Sequence, residues 1–418
     1  MTTHKWLFAP RFKRKAFGWQ SDTAILRIKE ALAEIKLIAK EDACLAAEGA
    51  VLLLEKLVPA IEGVDSSSGA IGSTVFRAIE TLVPLIAKAP ASPALRQRWL
   101  ERLWQAKLDD GISYLDSLGD HWGTLCTAGD ANTEVNADGT AARWVAELLP
   151  QAQAIWQPAA SQHYYTGTTA CLSAMYAAQQ HEALLDLLAM APYKMWHYRQ
   201  WGVRALLALG RQAEALQYAQ DSRGLNESDQ LISQTCEEIL LASGLAGDSA
   251  EAYARYAVVG NQASTYLATF RAIAKKYPHK APADILRDLV ASTPGEAGKW
   301  FAAAKSAGLF SEAIALVAHS PTDPRTLTRA ARDHAQKQPQ FALDAAKAAL
   351  HWMACGFGYE ITGAEVVEAF EAALGASRSL GRSDDKQTVA EIRAMLTGPA
   401  APASAQRVAR ILERELAE

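Results

Sequence analysis

Apolar residues recur every three or four positions along most of the chain, which is the period of an amphipathic α-helix. This pattern predicts helices over residues 22–39, 43–61, 74–87 and 94–107. Alternating runs of β-branched residues, the mark of strands, are scarce. The pattern therefore predicts an all-α protein.

Later segments repeat a helical hairpin with similar joints. Residues 179–183, 210–215 and 308–313 each place Glu near the start of a second helix, where the positive helix end favours it. The spacing of Glu182, Glu214 and Glu251 is close to that of tetratricopeptide repeats, although their consensus is not met. We expect a degenerate α-solenoid, a superhelix of the alkylpurine-glycosylase or tetratricopeptide kind.

Composition limits the class of protein. The 418 residues are 50% hydrophobic with a net charge of −4, so the chain is neither disordered nor strongly basic. The sequence shows no secretory signal and no membrane-length apolar run. Five separated cysteines argue against disulfides and predict a cytoplasmic protein. The predicted regions are a basic aromatic arm (1–20), an N-terminal helical region (21–125), a helical-repeat region (140–396), and a linker with a terminal helix (397–418).

Motifs for metals and nucleotides are incomplete. His181-Glu182 begins a zinc motif, but Leu185 occupies the position of the second histidine. Gly298-Lys299 lacks the remaining Walker A residues. We expect no metal and no cofactor.

The N-terminal arm combines cations with aromatic rings. Residues 4–19 hold five Lys or Arg, five Phe or Trp and no acid. Cations that meet phosphates and rings that stack on bases are typical of proteins that bind single-stranded or distorted DNA. The alternative is that the rings pack on the first helices while the charges stay in solvent. The candidate DNA-binding residues here are Lys5, Arg11, Lys13, Arg14 and Lys15.

Two polar segments carry candidate carboxylates. Residues 62–74 hold three glycines and five hydroxyl residues, which favours an anion site, or a role for Asp65 beside a substrate. Residues 114–123 place Asp120, His121 and Trp122 between glycines, a pattern that favours a general base with a stacking ring. Helix capping is the structural alternative for both segments.

Aromatic residues are concentrated between His163 and Trp201. Rings with polar tips suit a pocket that holds a planar ligand such as a flipped base, and packing of repeats accounts for part of the set. The candidates are Tyr165, Trp196, His197, Tyr198 and Trp201, with Arg199 as a cation beside them.

Positive charge is concentrated in two zones. Residues 1–40 hold nine Lys or Arg against three acids, and residues 271–350 hold twelve against seven. A solenoid that brings these zones together would form one positive track, and solvated helix faces are the alternative. The candidates of the second zone are Lys275, Lys276, Lys280, Lys299, Arg325 and Arg329.

With these residues in view, the chain resembles a family of bacterial antiphage DNA glycosylases. The segments that carry the resemblance are 5–19, 64–69 (VDSSSG), 165–171 (YTGTTAC), 198–202 (YRQWG) and 275–280 (KKYPHK). The resemblance implies excision of glucosylated hydroxymethylcytosine from modified phage DNA, on a helical-repeat scaffold.

That reaction needs a carboxylate near the sugar C1′ atom and groups that read the glucose. The candidate carboxylates are Asp65, then Asp120, with Glu48 and Glu55 behind them. Ser66, Ser67 and Ser68 are candidate glucose-reading residues, beside the aromatic set. We find no lysine suited to a lyase step, so we expect a monofunctional enzyme. The sequence leaves the oligomeric state open, with a monomer as the default. From periodicity alone, a non-catalytic α-solenoid adaptor that binds a protein is the better-supported class.

Overall fold

The structure is a computed structural model of the chain, and within the residues it describes it is all-helical, without a strand. The predicted fold class, all-α, is confirmed at this level. The chain forms two compact units, residues 1–228 and 229–418. The described residues are 4–127, 137–157, 160, 164–224, 228–382, 385–399, 401–402, 404–413 and 416.

The first unit contains ten α-helices and two 3-10 helices, Ala9–Arg11 and Asp116–His121, within its described residues. The α-helices are α1 (Ser21–Ile38), α2 (Ala43–Ile61), α3 (Ala70–Lys88), α4 (Pro93–Leu108), α5 (Trp122–Thr127), α6 (Ala137–Ala154), α7 (Thr168–Ala177), α8 (His181–Ala189), α9 (Trp196–Ala208) and α10 (Gln212–Gln220).

The second unit contains eleven α-helices and one 3-10 helix, Ala297–Trp300, in the part of it that the structure describes. The α-helices are α11 (Asp229–Ala242), α12 (Ala246–Gly260), α13 (Tyr266–Lys276), α14 (Pro282–Ala291), α15 (Phe301–Ser306), α16 (Phe310–His319), α17 (Pro324–His334), α18 (Pro339–Ala354), α19 (Gly363–Ser379), α20 (Lys386–Thr397) and α21 (Gln406–Ile411).

The first four predicted helices are confirmed, and α3 starts four residues earlier than its periodicity indicates. Gly69 precedes it in the left-handed conformation, with φ of 69°, so the chain turns there and the helix begins at Ala70. Residues 128–136, between the two predicted helical regions, lie outside the described residues, and so does His163. Helix α6 begins at Ala137, before the predicted start of the helical-repeat region at residue 140.

The hairpin joints share one turn. Gln179, Gly210 and Gly308 all have positive φ, between 55° and 76°. At each joint the next amide donates a hydrogen bond five residues back, for example from Arg211 N to Leu206 O at 2.8 Å. This is the Schellman turn that ends a helix, so Gly210 and Gly308 serve the left-handed cap. A Cβ at either glycine would meet no atom within 4 Å, so neither is required for close helix crossing.

Each unit has its own apolar core. The first core includes four rings of the arm, Trp6, Phe8, Phe12 and Phe17, whereas Trp19 is 72% exposed. The arm therefore follows the packing alternative for four of its five rings, and its backbone is held at α1, where Leu7 N and Phe8 N donate to Glu34.

One described helix, α3, is long and apolar enough by composition to cross a membrane. A single such helix is weak evidence, because core helices of globular proteins pass the same test. Seven residues of α3 are buried in the core of the first unit, among them Ile71, Val75 and Ile79.

Substitution of Gly49 tests how the arm is anchored. A Cβ at Gly49 would lie 2.2 Å from the Trp6 ring, so Gly49→Ala should displace that ring and lower the free energy of unfolding by about 1–3 kcal/mol. Limited proteolysis should then cut the arm faster than in the wild type.

Gly375→Ala in α19 is the matched control, since no neighbouring atom lies within 4 Å of the added Cβ. It should raise stability by about 0.5–1 kcal/mol and leave arm cleavage unchanged. Equal arm cleavage in Gly49→Ala and the wild type would contradict the proposed anchor.

Candidate functional site

A cavity in the first unit surrounds Asp120. Its volume is about 900 Å³, and its walls come from α3, α5, α7, α8 and α9 together with the 3-10 helix that ends at His121. This volume lies within the range of roughly 300–1,000 Å³ typical of small-molecule sites.

Two glycines place Asp120 in this wall. A Cβ at Gly123 would lie 2.3 Å from Ser173 O, and one at Gly119 would lie 3.2 Å from Ala170 N. Without these side chains the segment lies directly against the backbone of α7. Ser173 Oγ then accepts from Gly123 N at 2.9 Å and donates to Asp120 O at 3.0 Å, which ties the backbone of residues 120–123 to α7.

The Asp120 carboxylate is incompletely bonded. Its Oδ1 atom is buried and has no hydrogen-bond partner among the described residues. Burial raises the pKa of Asp120, and the opposing influence of His121, Arg204, His197 and the Trp201 N–H does not cancel that increase. A buried carboxylate without a full set of donors is unusual, because the desolvation of its charge is left uncompensated.

Rings form another part of the wall. Tyr176 lies 5.1 Å from His181 and 5.8 Å from Trp201 between ring centroids, and the Arg204 guanidinium lies 4.5 Å above the Trp201 ring. His181 Nδ1 and Trp201 Nε1 are also buried, and neither forms a hydrogen bond of normal geometry in the described part of the chain, although the Trp201 N–H is near enough to Asp120 to favour its charge. Three unsatisfied polar atoms thus belong to the lining of one cavity, which indicates a site for a polar, planar ligand.

A hydrogen-bonded pair completes the lining. His121 Nε2 lies 2.8 Å from Glu80 Oε1 on α3, so the histidine next to Asp120 is tied to a second helix. No group of three or more His, Cys, Asp or Glu side chains suited to a metal ion occurs in the described ranges. The available chemistry is therefore that of a carboxylate base beside rings and cations.

Asp65 lies in a turn outside this lining. Its Oδ1 accepts from Ser67 N at 2.9 Å, and this bond lowers the pKa of Asp65. Ser68 Oγ accepts from Ala70 N at 3.3 Å at the start of α3. Ser66 and Ser67 are exposed, and the N-cap residue of α3 is Gly69, without a side-chain cap hydrogen bond.

Glu48 and Glu55 are bound by one arginine. Arg102 donates to Glu55 through Nε at 2.7 Å and Nη2 at 2.6 Å, and also to Glu48, whose other oxygen accepts from Trp99 Nε1 at 2.6 Å. Burial opposes ionisation of Glu48, but these hydrogen bonds outweigh it and lower the pKa. Both carboxylates have their acceptor capacity engaged in packing α4 on α2.

The predicted aromatic residues separate into lining and core. Trp201 lines the cavity, whereas Trp122 is fully buried between Trp104 and Trp144, at 5.3 and 5.0 Å. The remaining candidates lie outside the lining: Trp196 and Tyr198 are buried, Tyr165 covers Gly167, and His197 is exposed with its ring 3.9 Å from Tyr198.

Several candidate DNA-binding cations of the first unit have partners. Arg11 pairs with Glu30 at 2.7 Å, and Arg14 and Lys15 pair with Glu62 at 3.0 and 3.4 Å. Arg199 lies 3.6 Å above the Tyr218 ring, and burial lowers its pKa. Exposed Lys5 and Lys13 form no ion pair with a described residue.

The candidate DNA-binding cations of the second unit also divide into those with a partner and those without an ion pair to a described residue. Lys276 pairs with the buried Glu237 at 2.7 Å, Lys299 pairs with Glu296, and Arg325 pairs with Glu365. Lys280 lies over the Tyr253 ring at 3.6 Å. Lys275 and Arg329 are exposed and have no ion-pair partner within the described residues.

Sequence reasoning missed several lining residues. His181 was considered only as an incomplete zinc motif, and Tyr176, Arg204, Glu80 and Phe76 were not singled out. The sequence does contain one signal, since Phe76 and Glu80 are four residues apart and share a helix face. No feature of the sequence indicates that α3 and α9 line one cavity.

No protein-family model matches the chain, and no curated protein and no solved structure shows a significant match to it.

Replacement of Asp120 tests its electrostatic state. Folding raises the pKa of Asp120, so its ionised form lowers stability at neutral pH. This loss of stability disappears as the pH falls through the raised pKa towards 3.8, the ordinary value of an aspartate. Asp120→Asn should therefore raise the free energy of unfolding by about 1 kcal/mol at pH 7, with a gain that shrinks on acidification. Denaturant unfolding at several pH values measures it.

Asp65→Asn is the control of opposite sign. Folding lowers the pKa of Asp65, so the charge is stabilising above the unfolded value and the variant should be less stable at pH 7. Lower stability of Asp120→Asn at neutral pH would contradict an unsatisfied carboxylate.

Proposed function

We propose that this protein is a monofunctional DNA glycosylase that removes glucosylated hydroxymethylcytosine from modified phage DNA and leaves abasic sites. The observation that supports this most is the Asp120 carboxylate, which has an unbonded oxygen in a cavity lined by rings. A half-buried acid that carries a cost to stability is typical of a functional site.

The reaction assigns a role to this carboxylate. Cleavage of the bond between the base and C1′ builds positive charge on the sugar, and an ionised Asp120 stabilises that charge. A water molecule then attacks C1′ and gives its proton to Asp120, whose raised pKa brings it closer to the working pH of a general base. The base leaves with the bonding electrons and takes up a proton from solvent, and Asp120 returns the proton of the attacking water to solvent.

The rings and polar atoms suit the leaving base. Tyr176 and Trp201 offer faces against which an extruded base stacks, and His181 offers a hydrogen-bonding nitrogen. A volume of about 900 Å³ has room for a base with an attached hexose. The hydroxyl groups of that hexose would meet Thr124, Thr127 and Gln200.

DNA is the proposed partner, bound through cations that form no ion pair with a described residue. Lys5, Lys13, Lys275 and Arg329 are exposed and free of ion pairs within the described residues, so they are available to phosphates. We further propose that the hairpins of each unit are turns of a degenerate α-solenoid, and that the protein acts as a cytoplasmic monomer without metal or cofactor.

The test incubates the purified protein with unmodified, hydroxymethylated and glucosylated phage DNA, and scores abasic sites by alkaline cleavage. Cleavage restricted to glucosylated DNA is expected, and Asp120→Asn should reduce its rate by about a hundredfold or more. Asp65→Asn, which alters the other leading carboxylate, should retain most of the rate.

Asp186→Asn is the matched control, because this exposed carboxylate lies on α8 outside the cavity lining. It should behave as the wild type. Absence of cleavage of every DNA by folded protein would reject the glycosylase and favour a non-catalytic adaptor. Full activity in Asp120→Asn would reject the assigned carboxylate alone.

A further inference from the structure

Phe76 is an exposed ring at the entrance of the cavity. It lies on α3, is 52% exposed and contributes to the lining that also contains Asp120. The other lining rings are less accessible: Trp201 is 3% exposed, and Tyr176 and His181 are partly buried. Phe76 therefore presents an apolar face to solvent beside a site that is otherwise polar at its surface.

The position of Phe76 relative to the carboxylate is fixed by packing. Its neighbour Val75 and the nearby Ile79 are fully buried, so α3 cannot rotate to cover the ring. One turn further on, Glu80 holds His121, the residue next to Asp120. Phe76 and Asp120 are thus linked through α3 and the contact between Glu80 and His121.

Two exposed arginines accompany the ring. Arg77 is exposed, follows Phe76 directly and forms no ion pair with any described residue. Arg204 is exposed on α9 in the wall of the same cavity, with its guanidinium over the Trp201 ring. An apolar ring and cations at one cavity suit a base step and its phosphates, in which the ring contacts base faces and the cations meet the backbone.

We propose that Phe76 inserts into duplex DNA at the target step and occupies the space left by the extruded nucleotide. This role rests on the proposed glycosylase function, since it assigns a DNA contact to the same cavity. Extrusion costs unpairing and unstacking energy in a duplex, and a ring that replaces the lost stacking lowers that cost. A single-stranded substrate carries little of this cost.

The experiment compares excision from duplex and single-stranded oligonucleotides that carry the same glucosylated base. Phe76→Ala should lower the ratio of duplex to single-strand rates by about tenfold or more, because the lost stacking matters only in the duplex. Phe76→Leu and Phe76→Trp, which keep an apolar wedge, should restore most of the ratio. Thermal unfolding verifies that each variant is folded.

Leu26→Ala is the matched control, since Leu26 on α1 is also 52% exposed and lies outside the cavity lining. It should leave the ratio unchanged. An equal loss on both substrates for Phe76→Ala would assign the ring to the pocket and overturn the wedge. An unchanged ratio, or a wild-type protein that acts on single strands but not on duplexes, would overturn it as well.

A second measurement separates the wedge from the chemistry. In the Asp120→Asn background, 2-aminopurine beside the target base should brighten when protein binds the duplex, and the further change Phe76→Ala should abolish that signal. Brightening with no excision by the wild type would reject the glycosylase and retain the wedge. Equal brightening with and without Phe76 would reject the wedge whatever the excision result.

Discussion

The contact of Gly119 and Gly123 with the backbone of α7 is the constraint on which the cavity depends. It allows a short 3-10 helix and α5 to lie against α7 at a distance that no side chain would permit. Ser173 then bonds to the Asp120 carbonyl and to the Gly123 amide. The carboxylate is held by main-chain packing, so its side chain needs no bond to another protein group to be positioned.

Hydrogen bonds and ion pairs distinguish Asp120 from Glu48, Glu55 and Asp65, the other carboxylates proposed for the reaction. Glu48 and Glu55 share Arg102, and Asp65 closes a turn with Ser67; these hydrogen bonds lower the pKa of Glu48 and of Asp65. For Asp120 the neighbouring cations do not offset burial, and its pKa is raised. The difference in environment, rather than in residue type, makes Asp120 the stronger candidate for chemistry.

Local signals predicted the local structure well. Helical periodicity located α1 and α2 within a residue of their observed ends, because their buried faces repeat at the helical period. The similar sequences at Gly210 and Gly308, each followed by Glu, predicted the hairpin joints. The structure shows a left-handed turn at both glycines. The arm was ambiguous, since the same rings suit packing and DNA contact, and only their burial shows that Phe8 and Phe12 belong to the core.

The sequence by itself determined the all-helical class, the hairpin joints and the presence of Asp120 and Trp201 among the candidates. Only the tertiary structure decided that these two share a cavity with Phe76, His181 and Arg204. The physical reason is the range of the interactions. Helix periods and caps act over a few residues, whereas the cavity joins segments more than a hundred positions apart, whose contact depends on packing of the whole first unit.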